Sequence, residues 1–257
     1  MREQRILPVP AASLVPSDEP VFCFTTDVEW APEWAIADVL SFFRERGIPL
    51  TPFVTHASAL IREHYGRPEM QKRAGLHPNF LSNSSHGRTR DEVIDTVFGL
   101  WPEAVSFRAH CFYEDSPTIF ALKQRGICYD SNLCLFLQPS CVPLLHHSGL
   151  LRFPVFWEDD VHCDRELPFR FASFESYFET PGLKVINLHP LFFALNVPTS
   201  RFYTSHKHLN GNADPEAGRA ARHPGIGSKT FLEELADHVL KRGAAAVYLD
   251  DLYRSLI

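Results

Sequence analysis

From residue 21 onward the chain alternates short apolar runs with amphipathic stretches, the pattern of βα units built around a mostly parallel sheet. The candidate strands are VFCFTT, IPLTPFV, AGL, AVSF, GICY, LRFPVFW, KVINL and AAAVYL. Between them, Ile36, Val39, Leu40 and Phe43 recur at helical spacing over 31–46, and Gly47 is a natural stop for that helix. Thr89-x-x-Glu92 reads as a capping box opening a helix that carries Val93, Val97 and Leu100. Ser116-Pro117 supplies an N-cap followed by a proline in the first turn, and Thr230-x-x-Glu233 opens a last helix closed by Gly243. The pattern predicts an extended arm at 1–19 and a single domain over 20–257, with no internal repeat and no interdomain linker. The stretch 198–227 breaks the alternation. It is rich in Gly, Pro, Asn and Ser, and reads either as a lid or binding insertion or as a mobile surface excursion.

Composition narrows the class. The 257 residues are 45% hydrophobic and 22% charged, as in an ordinary globule and unlike collagen-like, disordered or coiled-coil chains. Lys+Arg number 25 against 31 Asp+Glu, a net charge of −6 that gives no global electrostatic reason to bind nucleic acid or an anionic membrane. No apolar run reaches the length of a membrane span, and prolines and an acidic pair interrupt the N-terminal stretch where a signal peptide needs continuity. The six cysteines form no CxxC pair and lie partly inside apolar runs, as small buried hydrophobes do, so a reduced cytoplasmic protein is expected. Histidine is abundant, with 13 in the chain, and needs a chemical account.

The residues at the ends of the candidate strands are Asp27, Thr55, His77, Arg108, Asp130, Glu158, His189 and Asp250. In parallel α/β architectures these ends form one rim where ligands collect. Asp27 and Glu29 stand at i and i+2, so an extended segment would project both carboxylates from one face. Two such groups in a half-buried site favour a divalent metal between them; otherwise Glu29 turns to solvent and starts the next helix. His77 in GLHPNF and His86 in NSSHG offer imidazoles, a donor set that suits zinc or a similar first-row metal. His189, at the end of KVINLHP, is placed to act as a general acid or to be a backbone-bonded structural residue. Arg108 needs an anion, and Asp27 is the obvious one.

In their order along the chain, these segments resemble the polysaccharide deacetylase family, also called NodB-homology domains or carbohydrate esterase family 4, over roughly residues 20–250. The WbmS-like branch is the most similar. The resemblance implies an α/β fold, a distorted (β/α) barrel of about seven strands. In FTTDVEWAP it implies Asp27 as catalytic base and Glu29 as metal carboxylate. The family's two histidines four residues apart are matched only by His77; Leu81 stands at the second position, and His86 is the substitute. FRAHCFYED implies that Arg108 orients the base and that the backbone amide near Cys111 faces the oxyanion. FPVFWEDD implies Trp157 in the pocket, and NLHP implies His189 as the acid.

The expected protein is then a metal-dependent hydrolase, most simply a zinc enzyme, that removes an N-acyl group from an amino sugar of a surface polysaccharide or its precursor. Two alternatives stand beside it. One is a metal-free carbohydrate-binding pseudoenzyme on the same barrel, motivated by the missing second histidine. The other is a deacylase of a non-sugar amide.

Overall fold

The computed structural model describes residues 18–257, so the arm expected at 1–19 lies outside the described residues apart from the exposed Asp18 and Glu19. The strands are β1 (Pro20–Asp27), β2 (Leu50–Val54), β3 (Gly75–Leu76), β4 (Ser106–Phe107), β5 (Tyr129–Asp130), β6 (Leu144–Leu145), β7 (Leu151–Arg152), β8 (Val155–Glu158), β9 (Gly182–Leu188) and β10 (Ala245–Ala246). They form one 10-stranded sheet in the order β6-β7-β5-β4-β3-β2-β1-β9-β8, with β10 added against the first half of β1. Every pairing is parallel except β6 with β7. β7 and β8 lie toward opposite ends of that order, yet only Phe153 and Pro154 separate them in the chain. The sheet therefore curls back on itself, and a bridge between Cys134 and Val155 helps to close it. This is the α/β, NodB-like distorted barrel that the sequence predicts, but with ten strands where about seven were expected, in part because LRFPVFW divides at Phe153–Pro154 into β7 and β8 and the short Leu144–Leu145 strand adds to β7.

β1 is the central stave. Successive side chains of a strand alternate in direction, so Phe22 and Phe24 face outward while Thr25 and Asp27 face the interior. Phe24 packs against Phe43 of the Glu33–Arg46 helix with ring centroids 5.2 Å apart. That helix ends at Gly47, whose left-handed φ of 65° lets its N–H reach the carbonyls of Phe43 and Arg44. With both faces covered, β1 and β9 are buried almost throughout, which explains why they read as near-continuous apolar runs.

The helix starts need two corrections. The Thr89–Glu92 capping box is formed as predicted. The Ser116–Gln124 helix, however, is capped one residue earlier, by Asp115, whose carboxylate accepts the Thr118 N–H at 2.7 Å. The last long helix begins at Ser228, and Thr230 lies in its first turn, bonding the N–H of the Gly227 cap at 2.8 Å. The AAAVYL strand shortens to Ala245–Ala246, paired with Val21 and Phe22 at the start of β1. Asp250 consequently sits away from the rim, in the Leu249–Ser255 helix, bonded to Arg254 at 2.8 Å.

The 198–227 segment is not a loop throughout. It holds the helices Ser200–His206 and Pro215–Ala221, joined through a 3-10 turn at Lys207–Gly211. Thr199 and Asp214 cap the two helices, which are too short for apolar periodicity to reveal them. The segment is anchored on the Glu33–Arg46 helix: Trp34 Nε1 donates to Asn212 O at 2.8 Å, and Arg222 pairs with Asp38.

Trp157 does not reach the pocket that the family resemblance assigns to it. Neighbouring strand residues point opposite ways, so Glu158 takes the interior and Trp157 turns outward beneath the Ser228–Arg242 helix. There the indole is wholly buried, stacked on Phe231 at 4.8 Å, and its Nε1 donates to His162 Nδ1 at 3.1 Å. Nε2 of His162 carries the ring proton toward Pro168 O at 3.2 Å, and burial pushes the pKa of His162 down to about 4. A histidine whose folded pKa is depressed stabilises the fold above its ordinary value of 6.5, and that contribution is lost as pH falls through about 4. We expect urea-unfolding stability to fall from pH 6.5 toward pH 4 with a His162 component of at most ~1.4 kcal/mol per pH unit. His162→Gln should remove that component; an unchanged slope in the variant refutes the assignment.

Candidate active site

Three of the predicted rim residues line one cleft of about 380 Å³ together with Glu29: Asp27 from β1, Glu158 from β8 and His189 after β9; His77 after β3 and Arg108 after β4 stand behind this lining, against Asp27. The 109–112 turn and Asp160 form further walls, and Tyr203 and Lys207 bring the 198–227 segment to the mouth. Asp130 goes elsewhere, pairing with Arg152 at 2.8 and 3.1 Å.

Asp27 and Arg108 are both almost fully buried and meet at 2.9 Å. The guanidinium is held on all three nitrogens: it also donates to Thr25 Oγ1, Asn187 Oδ1, Ser131 O and Ser131 Oγ at 2.5–3.0 Å. Asn187 turns its amide the other way, donating to Asp27 Oδ2 at 2.9 Å and to Glu158 Oε1 at 2.7 Å. Burial works to raise the Asp27 pKa, but the charges of Arg108, His77 and His189 outweigh it and leave the group below its ordinary value. At Glu158 the charges of His189 and Arg108 compensate too little. Burial, with Asp160 nearby, holds its carboxyl well above the usual range.

Glu29 reaches the cleft by a turn rather than by strand alternation. β1 ends at Asp27, and Glu29 and Trp30 both take left-handed φ values, 44° and 53°. The Glu29 N–H is held by Thr55 Oγ1 at 2.9 Å. On the facing wall Cys111 and Phe112 are also left-handed, at 54° and 51°. Non-glycine residues in this region carry roughly 1–3 kcal/mol of strain each, which surrounding contacts must offset. Cys111 stands exposed at the cleft, so the backbone placement proposed for it is compatible with this turn.

Glu29 gathers His77 and His110. The donor atoms of Glu29, His77 and His110 lie within 4.8 Å of one another. His77 is only 1% exposed, yet neither ring nitrogen has a hydrogen bond: Nδ1 stands 3.6 Å from Asp27 Oδ1 and Nε2 3.6 Å from Glu29 Oε1. His110 Nδ1 is 2.6 Å from Glu29 Oε1 but lacks the alignment of a hydrogen bond. Buried unsatisfied imidazoles facing a carboxylate are costly as they stand, and a two-nitrogen, one-oxygen set fits a divalent first-row cation.

His86, the substitute second histidine, is not part of this set. Its Nδ1 accepts the Asn79 N–H at 3.0 Å, which leaves the ring proton on Nε2 to be donated to Thr55 O at 2.8 Å. Both ring nitrogens are thus consumed by backbone, and burial lowers the pKa of the ring. The position expected of His86, beside Glu29 and His77, is taken by His110, only two residues beyond Arg108.

His189 faces the same cleft with Nε2 lying 3.8 Å from Glu29 Oε2 and 4.0 Å from Glu158 Oε1. Its Nδ1 is held by Asp159 Oδ1 at 2.7 Å, and Asp159 Oδ2 accepts the backbone N–H of His189 at 2.9 Å. Burial disfavours charge on this ring, but Asp159, Asp160 and Glu29 hold its pKa well above the ordinary histidine value. The arrangement can keep an imidazolium proton on Nε2, pointing into the cleft.

Sequence reasoning missed Asp159, Asn187 and His110 as site residues. His110 stood inside the FRAHCFYED segment, and an imidazole so close to a rim arginine was a usable signal. Nothing local marks Asn187, which an apolar strand carries to the interior.

The sequence model of WbmS-like polysaccharide deacetylases matches residues 24–207. Among solved structures, WbmS of Bordetella bronchiseptica, assigned as a polysaccharide deacetylase involved in O-antigen biosynthesis, is 27% identical; the match covers 84% of this chain and 90% of that one with a TM-score of 0.75. A protein of Mycobacterium smegmatis assigned as a polysaccharide deacetylase is 17% identical, over 91% of this chain and 95% of that one, with a TM-score of 0.45. No curated protein sequence matches significantly.

The buried Asp27–Arg108 pair has a measurable consequence. Arg108→Met leaves Asp27 buried without its cation and should cost about 3–5 kcal/mol in urea unfolding, whereas adding Asp27→Leu should recover part of the loss. A single variant as stable as the wild type contradicts this account.

Proposed function

The chain belongs to the WbmS-like family of polysaccharide deacetylases, and from that premise we propose that it is a metal-dependent hydrolase removing an N-acetyl group from an amino sugar of a surface polysaccharide or its precursor. One observation carries the reading: an orphaned, buried His77 stands beside Glu29 and His110, and these two line the same cleft as an Asp159-oriented His189. The likeness to the Bordetella protein of O-antigen biosynthesis supports a surface polysaccharide as the source of the substrate.

Glu29, His77 and His110 would hold the metal, most simply zinc, replacing the set of Glu29, His77 and His86 expected from sequence. Bound there, a divalent cation would polarise the amide carbonyl and lower the pKa of a water beside it. Asp27, aimed by Arg108 and Asn187, takes the proton of the attacking water. His189 donates its Nε2 proton to the departing amine, without which a poor leaving group stalls, and Asp159 keeps the ring turned so that this proton faces the cleft. Arg108 reaches Asp27 rather than the cleft and keeps the base ionised. The backbone around Cys111 lines the cleft where an oxyanion donor is needed, and Tyr203 offers a ring face at its mouth in place of Trp157.

Among the described residues no helix is long and apolar enough to cross a membrane. The six free cysteines suit a reducing compartment, and the cytoplasm is the one we propose. With both nitrogens of His86 bonded to backbone, the missing second histidine would favour a metal-free binding protein, but His110 offers an imidazole in its place. The hydrolase reading therefore stands ahead of it.

The test is amine release by zinc-loaded protein from nucleotide-linked and oligomeric N-acetylated amino sugars. Wild type should release amine, and His189→Ala and Asp27→Asn should each lower kcat by about 10²–10⁴-fold; a wild-type protein that binds zinc and releases nothing overturns the proposal. In parallel, His110→Ala should lose the zinc retained on gel filtration. His86→Leu should retain it while losing about 1–3 kcal/mol of stability, because the Asn79 N–H and Thr55 carbonyl lose their partner.

A further inference from the structure

The turn that carries His110 is held from one side by a residue with no part in the chemistry above. Asn132 follows β5 and is 2% exposed. Its Oδ1 accepts the N–H of Ala109 at 2.9 Å, and its Nδ2 donates to the carbonyl of Tyr113 at 3.0 Å. A single carboxamide thus grips the residue before His110 and the residue after Phe112. Between these grips lie the consecutive left-handed residues Cys111 and Phe112, a backbone form that the turn does not favour by itself. The His110 N–H adds one further tie, to Pro78 O at 2.9 Å, which joins this turn to the segment bearing His77.

Asn132 is itself fixed. Its backbone N–H donates to Asp130 Oδ1 at 3.1 Å, and Asp130 is locked by Arg152. Arg152 also pairs with Glu114 at 2.8 Å, immediately past the turn, so the support closes on itself. The side chain before Asn132, Ser131, binds Arg108 at 2.6 Å. The three residues Asp130-Ser131-Asn132 therefore support the barrel edge, the base-orienting arginine and the His110 turn in succession.

We infer that Asn132 is a positioning residue for the metal site: it holds the 109–113 turn in its strained form and so presents His110 beside Glu29 and His77. The inference rests on the proposed assignment of those three residues as ligands. Without the carboxamide, the buried Ala109 N–H loses its acceptor and the left-handed pair is free to relax, which withdraws the His110 imidazole.

The experiment is a competition titration of zinc against a chromophoric chelator, with the full chain as wild type, Asn132→Ala, His110→Ala and Phe178→Leu. Phe178 is a fully buried core residue outside the cleft, so its variant reports the effect of general destabilisation. Asn132→Ala should weaken zinc binding by about 10–100-fold, as removal of residues that orient metal ligands does, and should alter the visible absorption of the cobalt-substituted protein. His110→Ala should weaken zinc binding further, and Phe178→Leu should leave it unchanged. If Asn132→Ala is not recovered folded, Asn132→Asp carries the test, since it keeps the acceptor for Ala109 and gives up only the donor to Tyr113; it should weaken zinc binding several-fold. Wild-type affinity in the folded Asn132 variant, or an equal loss in Phe178→Leu, overturns the inference while leaving the ligand assignment intact. Wild-type affinity in His110→Ala overturns the ligand assignment and the inference with it.

Discussion

A carboxylate buried at the end of the central strand needs a cation, and the way Asp27 obtains one organises much of this barrel. Arg108 supplies the charge from β4's end, three strands away in the sheet order. A buried guanidinium must in turn have all its donors satisfied, which recruits Thr25, Asn187 and Ser131 from β1, β9 and the end of β5. The ion pair thereby ties together strands that neighbouring backbone ladders do not directly join. It also fixes the Asp27 carboxylate at the floor of the cleft, so the requirement that keeps a charge inside the fold is the same one that aims a base.

Around that floor the remaining groups divide by environment. Glu29, served by imidazoles, lies well below the ordinary carboxylate range, whereas Glu158, buried and sharing Asn187 with Asp27, lies well above it. His189 is charged against its burial because Asp159 grips it. Titratable groups pushed in opposite directions within one cleft are what acid and base chemistry at a single pH requires. Two pairs of left-handed residues, Glu29 with Trp30 and Cys111 with Phe112, bring Glu29 and His110 together from facing walls, so backbone strain is concentrated at the cleft.

Much of the fold was legible because a βα barrel repeats a simple instruction. Each buried strand reads as an apolar run, and each run ends in a residue that must face the rim. Asp27, His77, Arg108, Glu158 and His189 follow from that rule alone. It fails at Asp250, where β10 pairs with the beginning of β1 and ends far from the rim, and at Asp130, which pairs with Arg152; the pocket place that the family resemblance implied for Trp157 fails separately, by one step of strand alternation that exchanges cleft for core. The short helices of 198–227 were hidden for another reason: a seven-residue helix shows caps but too few turns for a period.

The sequence by itself determined the barrel class and the kinds of chemistry at most of its strand ends, because alternation and apolar runs are local properties; the order of the staves, with LRFPVFW divided between β7 and β8 toward opposite ends of the sheet, is tertiary. Which histidine joins Glu29 was decided only by tertiary structure. His86 and His110 are both imidazoles on loops near the rim, and neither spacing nor neighbours rank them. What separates them is where the backbone offers partners: a carbonyl at Thr55 and an N–H at Asn79 consume both nitrogens of His86, while the turn clasped by Asn132 leaves Nδ1 of His110 facing Glu29. Those partners come from distant segments, so the choice exists only once the chain has folded.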